Sequence, residues 1–143
     1  MDLGACQWQG ESEPDVTGHP FILYFWSLSC PACHVNMPHL QKLRDEYAGQ
    51  GLRVLSVHRP RGEKELDAEA VQKMMRELGV SEPCVLDNDH TLGDALGVDA
   101  YPTYFLFDTD GRLRRHARGN FGVRMIEQAL ERVLAASPVP VAA

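Results

Sequence analysis

Apolar residues along the chain follow two spacings in turn, and the switch from one to the other lays out the elements. Phe21-Ile22-Leu23-Tyr24-Phe25-Trp26 is an unbroken aromatic and branched run, the pattern of a central strand covered on both faces. Pro31 then suits the first turn of a helix, where its missing N–H would have had no partner. Leu40, Leu43 and Tyr47 mark that helix's buried stripe, Pro38 should bend it, and Gly49 supplies a stop. Leu52 to Val57 reads as a second strand. After the polar stretch His58 to Glu65, Asp67 offers an N-cap, and Val71, Met74, Met75 and Leu78 recur at helical spacing ahead of Gly79.

The remainder is shorter in period. Cys84-Val85-Leu86 is a short strand, and Thr91 to Leu96 forms a short helix ended by Gly97. Thr103 to Phe107 and Arg112 to His116 flank Asp108-Thr109-Asp110-Gly111, a hairpin between antiparallel strands. Ile126, Ala129, Leu130, Val133 and Leu134 give a closing amphipathic helix. The order β-α-β-α-β, short helix, hairpin, helix predicts an α/β fold: a central mixed β-sheet flanked by helices on both faces. Residues 1–17 read as a lead-in whose Trp8 packs onto the domain, 18–136 as the domain, and 137–143 as a Pro-rich tail.

Length and charge narrow the function. At 143 residues the chain is one domain's worth, and 14 Lys and Arg against 20 Asp and Glu leave a net charge of -6, which gives nucleic acid no electrostatic handle. The longest apolar run, Phe21 to Leu28, is far short of the ~20 residues that span a bilayer, so no membrane insertion is expected. Nothing near Met1 has the form of a signal peptide. The expectation is a cytoplasmic monomer, with an extracytoplasmic home as the alternative where a leader has been removed.

The chemistry lies in the cysteines. Cys6 and Cys84 stand alone, while Cys30 and Cys33 form a C-x-x-C pair between the first strand and its helix. Reactive groups in such sheets gather beyond the carboxyl ends of the strands. Unpaired N–H groups at a helix N-terminus favour a thiolate over a thiol. Cys30 is therefore the more acidic sulfur, and Cys33, one turn later, is placed to attack a mixed disulfide formed on it. No metal or organic cofactor is called for, since the electrons reside in the pair. Cys84 reads as an inert core residue, Cys6 as an exposed thiol, and His19, His39, His58, His90 and His116 as surface or loop residues. Arg112, Arg114, Arg115 and Arg118 read as a solvated strand edge.

Phe25-Trp26-Ser27-Leu28-Ser29-Cys30-Pro31-Ala32-Cys33, then Met37-Pro38, then Ala100-Tyr101-Pro102-Thr103, resemble the thioredoxin superfamily. Gly18-His19-Pro20 and the Asp110-Gly111 turn make its TlpA/ResA-like branch the nearest likeness, and the thioredoxin-like domain of NHL-repeat proteins is similar too. The resemblance spans roughly residues 18–134. It implies a thiol-disulfide oxidoreductase with Cys30 and Cys33 as catalytic residues, acting on protein disulfides or dithiols and recharged by a thiol redox partner. It makes Pro102 a cis-proline beside the cysteines, and lines the substrate groove with Trp26, Ser29, Pro31, Ala32, Tyr101 and Pro102. The X-Pro bond is where a cis peptide is least costly, about 0.5 to 1 kcal/mol. Three departures stand out. Tyr24 occupies the place of thioredoxin's buried acid, Ser29 that of the Trp before the first cysteine, and no Glu lies between the cysteines, which leaves the base for Cys33 unassigned. His34 is the nearest residue able to influence the pair.

Other readings use the same residues. Cys30-Pro-Ala-Cys33-His34 spells the c-type haem attachment pattern. Cys30, Cys33, Cys84 and His90 number four zinc ligands, although without a second close pair. Ser27-x-x-Cys30 resembles the peroxiredoxin motif with Ser for Thr, and Cys33 could resolve a sulfenic acid, but Leu23 stands where that motif carries Pro. A redox-sensing interaction module is the non-enzymatic alternative.

Overall fold

A computed structural model describes residues 15–136. Its elements run β1 (Phe21–Trp26), α1 (Pro31–Tyr47), β2 (Arg53–His58), α2 (Ala68–Glu77), β3 (Cys84–Leu86), α3 (Thr91–Leu96), β4 (Thr103–Phe107), β5 (Leu113–Arg118) and α4 (Gly122–Ala136). Single 3-10 turns lie at Ala48–Gln50 and Glu63–Glu65. The expected contacts of Trp8 and the properties of Cys6 and the Pro-rich tail lie outside the described residues.

The sheet is mixed, in the order β3-β2-β1-β4-β5. β1 pairs parallel with β2 and antiparallel with β4, so it is central, as its unbroken apolar run requires. Alternate residues of β1 feed two cores. Ile22, Tyr24 and Trp26 join Met37, Leu40 and Leu43 of α1, Val71 and Met75 of α2, and Ile126, Leu130 and Val133 of α4. Phe21, Leu23 and Phe25 face the other way, against Leu92 of α3, Val98 and the phenylalanines of β4. Phe21 stacks on Phe107 with centroids 4.6 Å apart, and Phe25 meets Phe105 edge-on at 5.7 Å. The helical layers are therefore unequal: three helices cover one face, and only short α3 the other.

The predicted punctuation holds at α2, where Asp67 accepts from the N–H groups of Glu69 and Ala70, and at α3, where Gly97 takes a positive φ. Three boundaries differ. α1 runs through Pro38 to Tyr47, and it is Gly51, at φ 96°, that turns the chain after a 3-10 turn, in place of Gly49. β2 is displaced by one residue and ends on His58, because Trp26 at the end of β1 still has a partner to pair with there. β5 extends to Arg118, since the antiparallel ladder continues until Thr103 is paired. Its arginines are exposed, as a strand edge should be.

Candidate active site

Cys30 is the N-cap of α1, with extended backbone, and Pro31 opens the helix. Its Sγ accepts the N–H of Cys33 at 3.1 Å, so a sulfur occupies the capping position where Ser or Asp oxygens usually satisfy a first-turn donor. The two cysteines are joined as a disulfide, with Cα atoms 5.3 Å apart, and both are buried. One turn of helix is thus the right length to bring the sulfurs together.

The Tyr101–Pro102 peptide is cis. Two polar bridges tie this loop to the start of α1. The Pro102 carbonyl accepts from Gly119 N–H at 3.0 Å, and the neighbouring Asn120 Oδ1 accepts from Asn36 Nδ2 at 3.0 Å. Asn36 in turn donates to the carbonyl of Ala32, between the cysteines, at 2.8 Å. Tyr101 and Ala32 pack against the same buried cluster as Cys30 and Cys33. Pro31 and Ser29 are exposed, Ala32 and Tyr101 half-buried, and Pro102 buried.

The segment 58–65 borders both parts. Arg59 donates to the Tyr101 hydroxyl at 3.0 Å, and Arg61 lies over the Tyr101 ring, 4.9 Å from its centroid. At its far end Glu65 accepts from Ser29 Oγ at 2.6 Å and from Leu28 N–H at 3.1 Å. His58 lies beneath, fully buried, with Nε2 3.3 Å from the same Leu28 N–H. Desolvation pushes its pKa down to about 4, against a smaller upward pull from Glu65.

A family model described as the AhpC/TSA family matches residues 4–116. The chain belongs to that family. It is 39% identical over 116 residues to the thiol-disulfide oxidoreductase YkuV of Bacillus subtilis, covering 81% of this chain and 78% of that one. It is 32% identical over 117 residues to the thiol-disulfide oxidoreductase ResA of Halalkalibacterium halodurans, covering 82% of this chain and 64% of ResA. The chain therefore spans about two thirds of that relative's length. The solution structure of a thioredoxin-like protein in its oxidized form superposes with a TM-score of 0.80 at 34% identity, over 93% of this chain and 91% of the other. The expected α/β thioredoxin-like architecture is thus the observed one.

Some placements differ from expectation. Trp26 has no exposed surface: its indole N–H donates to Ser56 Oγ at 2.7 Å, so it is core beneath the site and offers nothing to a groove. His58 is not a surface residue, for the reason that the extended β2 carries it inward on the same face as Ser56. Ser27, the peroxiredoxin-like position, is fully buried. The four supposed zinc ligands are not gathered: Cys30 and Cys33 bond each other, His90 Nε2 contacts Pro60 O at 2.7 Å, and Cys84 is buried in β3 with its thiol pKa pushed up to about 11 by desolvation. The disulfide also engages both sulfurs that a haem thioether linkage would need.

Glu65 and Glu82 were not legible as buried acids. Tyr24 donates to Glu82 Oε1 at 3.0 Å; Gln41 and Arg44 complete that carboxylate's bonds. A buried carboxylate is thus present on this face, but reached through Tyr24 from the turn before β3. The one available signal for His58 was parity, since it falls two residues after Ser56.

Proposed function

We propose that this protein is a thiol-disulfide oxidoreductase acting on protein substrates, with Cys30 as the attacking thiolate and Cys33 as the resolving thiol. The observation that carries the reading is Cys30 Sγ at the cap of α1, accepting the Cys33 N–H while bonded to the Cys33 sulfur. In the reduced protein the same N–H and the helix terminus favour negative charge on Cys30. The Cys30 thiolate attacks one sulfur of a substrate disulfide, forming a mixed disulfide and expelling the other sulfur as a thiolate. Cys33, on losing its proton, attacks Cys30 Sγ. The substrate leaves with two thiols after proton uptake, two electrons having passed to it, and the Cys30–Cys33 disulfide is restored. The reverse sequence oxidises a substrate dithiol.

Ser29, Pro31, Ala32, Tyr101 and Pro102 form the substrate surface in this reading. Support comes from the bridges that hold the cis-proline loop to the first turn of α1. Partners are proteins with an accessible disulfide or dithiol, and a thiol redox partner that recharges the pair. Among the described residues no helix is long and apolar enough to cross a membrane.

Cys33→Ser tests the assignment. Attack by Cys30 then proceeds and resolution does not, so substrate proteins accumulate as covalent adducts that dithiothreitol releases. Absence of adducts while Cys30 still alkylates overturns the exchange reading, and stoichiometric consumption of hydrogen peroxide by the wild type would put a thiol peroxidase in its place.

A further inference from the structure

The exchange chemistry leaves one buried acid beside the site unexplained. Glu65 sits on a 3-10 turn 35 positions beyond Cys30, yet both its oxygens accept bonds from the two residues that lead into that cysteine: Leu28 through its N–H and Ser29 through its hydroxyl. Both oxygens of the side chain are thus engaged by donors. Among the described residues its only ion-pair contact is with His58, at 3.7 Å. That ring does not neutralise it. Complete burial of the side chain keeps the ring uncharged at neutral pH.

We propose that Glu65 is a positioning residue for the redox pair: it draws the Leu28 and Ser29 donors away from Cys30 and holds a negative charge behind it, making the Cys30 thiolate less stable. This rests on Cys30 being the attacking sulfur. Other groups near the pair are differently disposed. His34, on α1, is half-buried and has no hydrogen-bond partner for Nε2 among the described residues. On the cis-proline side Arg59 is paired with Asp94 and with the Tyr101 hydroxyl, and Arg61 lies on the Tyr101 ring. The α1 terminus stabilises a thiolate, while a charge on Glu65, held by the two residues that precede Cys30, opposes it. Reducing the disulfide takes up two electrons and, above the pKa of Cys30, a single proton, leaving Cys30 as thiolate. A group that disfavours this thiolate disfavours the dithiol, and makes it the better donor of its electron pair.

The test is the pH dependence of Cys30 alkylation in the full reduced chain, with the labelled residue mapped by mass. Glu65→Gln keeps the shape and an accepting oxygen but removes the charge. Its Cys30 pKa should fall by about one pH unit, and at pH values above it the equilibrium against glutathione should move about tenfold towards the dithiol. Ser29→Ala, at an exposed position, removes a donor from the carboxylate and leaves its charge barer, so the pKa should rise. Glu65→Asp, which keeps the charge, should stay near the wild type. A Glu65→Gln pKa that is unchanged or raised overturns the proposal; should that variant not fold, a Ser29→Ala pKa that is unchanged or lowered does so. Label found on Cys33 instead of Cys30 in the wild type overturns the assignment of the nucleophile, which the mapping distinguishes from failure of the charge effect.

Discussion

Asn36, buried in the second turn of α1, donates to Asn120 across 84 positions of sequence, and so fastens the loop beside cis-Pro102 to the helix that carries both cysteines. The same amide donates to Ala32 O. Asn36→Ala should leave Asn120 without this partner, costing about 1 kcal/mol of stability. Reduction of a protein disulfide should slow several-fold while alkylation of Cys30 by a small reagent changes little. Equal slowing of both reactions would mean that Asn36 acts on the sulfur itself, and not on the loop.

Ser56 carries the indole of Trp26 and donates in turn to Cys84 Sγ at 3.4 Å. All three side chains are buried. Ser56→Ala strands the indole N–H, and the expected loss is about 1 to 3 kcal/mol in urea unfolding, with the fold intact by circular dichroism. Trp26→Phe in the same background should recover part of that loss, because no donor is left behind.

Glu82 receives bonds from Tyr24, Gln41 and Arg44, and the Arg44 pair is 2.9 Å long with the carboxylate nearly inaccessible. Glu82→Ala leaves a cation and a buried hydroxyl without their acceptor, so a loss of about 3 to 5 kcal/mol is expected by chemical denaturation. The exposed pair Lys73–Glu77 is the contrast: Glu77→Ala should cost under about 0.5 kcal/mol.

His58 makes stability depend on pH. Its folded pKa, about 4, lies below the ordinary value of 6.5 because burial disfavours the charged ring. The unfolded chain therefore takes up a proton in a range where the folded one does not. This contribution is fully present above pH 6.5 and is lost as pH falls through about 4, amounting to roughly 3 kcal/mol over the window. His58→Gln should flatten the stability curve between those values. A slope identical to that of the wild type would show that His58 takes its proton without unfolding the site.

What the sequence determined by itself was local in origin. The apolar run of β1, Pro31 at the start of α1, the Asp67 cap and the turn at Asp108–Gly111 each act within a few residues, so element order and the Cys30–Cys33 pairing were readable from spacing. Boundaries were less so: β2 continues to His58 because Trp26 needs a ladder partner, a demand set by the neighbouring strand. Only the tertiary structure decided which polar residues are buried. Glu65, Glu82 and Asn36 look like ordinary surface residues in sequence, and each has a side-chain partner between 36 and 84 positions away. Hydrophobic periodicity records which face of an element is covered, but a buried polar group is tolerated only where a distant chain segment supplies its hydrogen bonds, and that meeting is made by the fold.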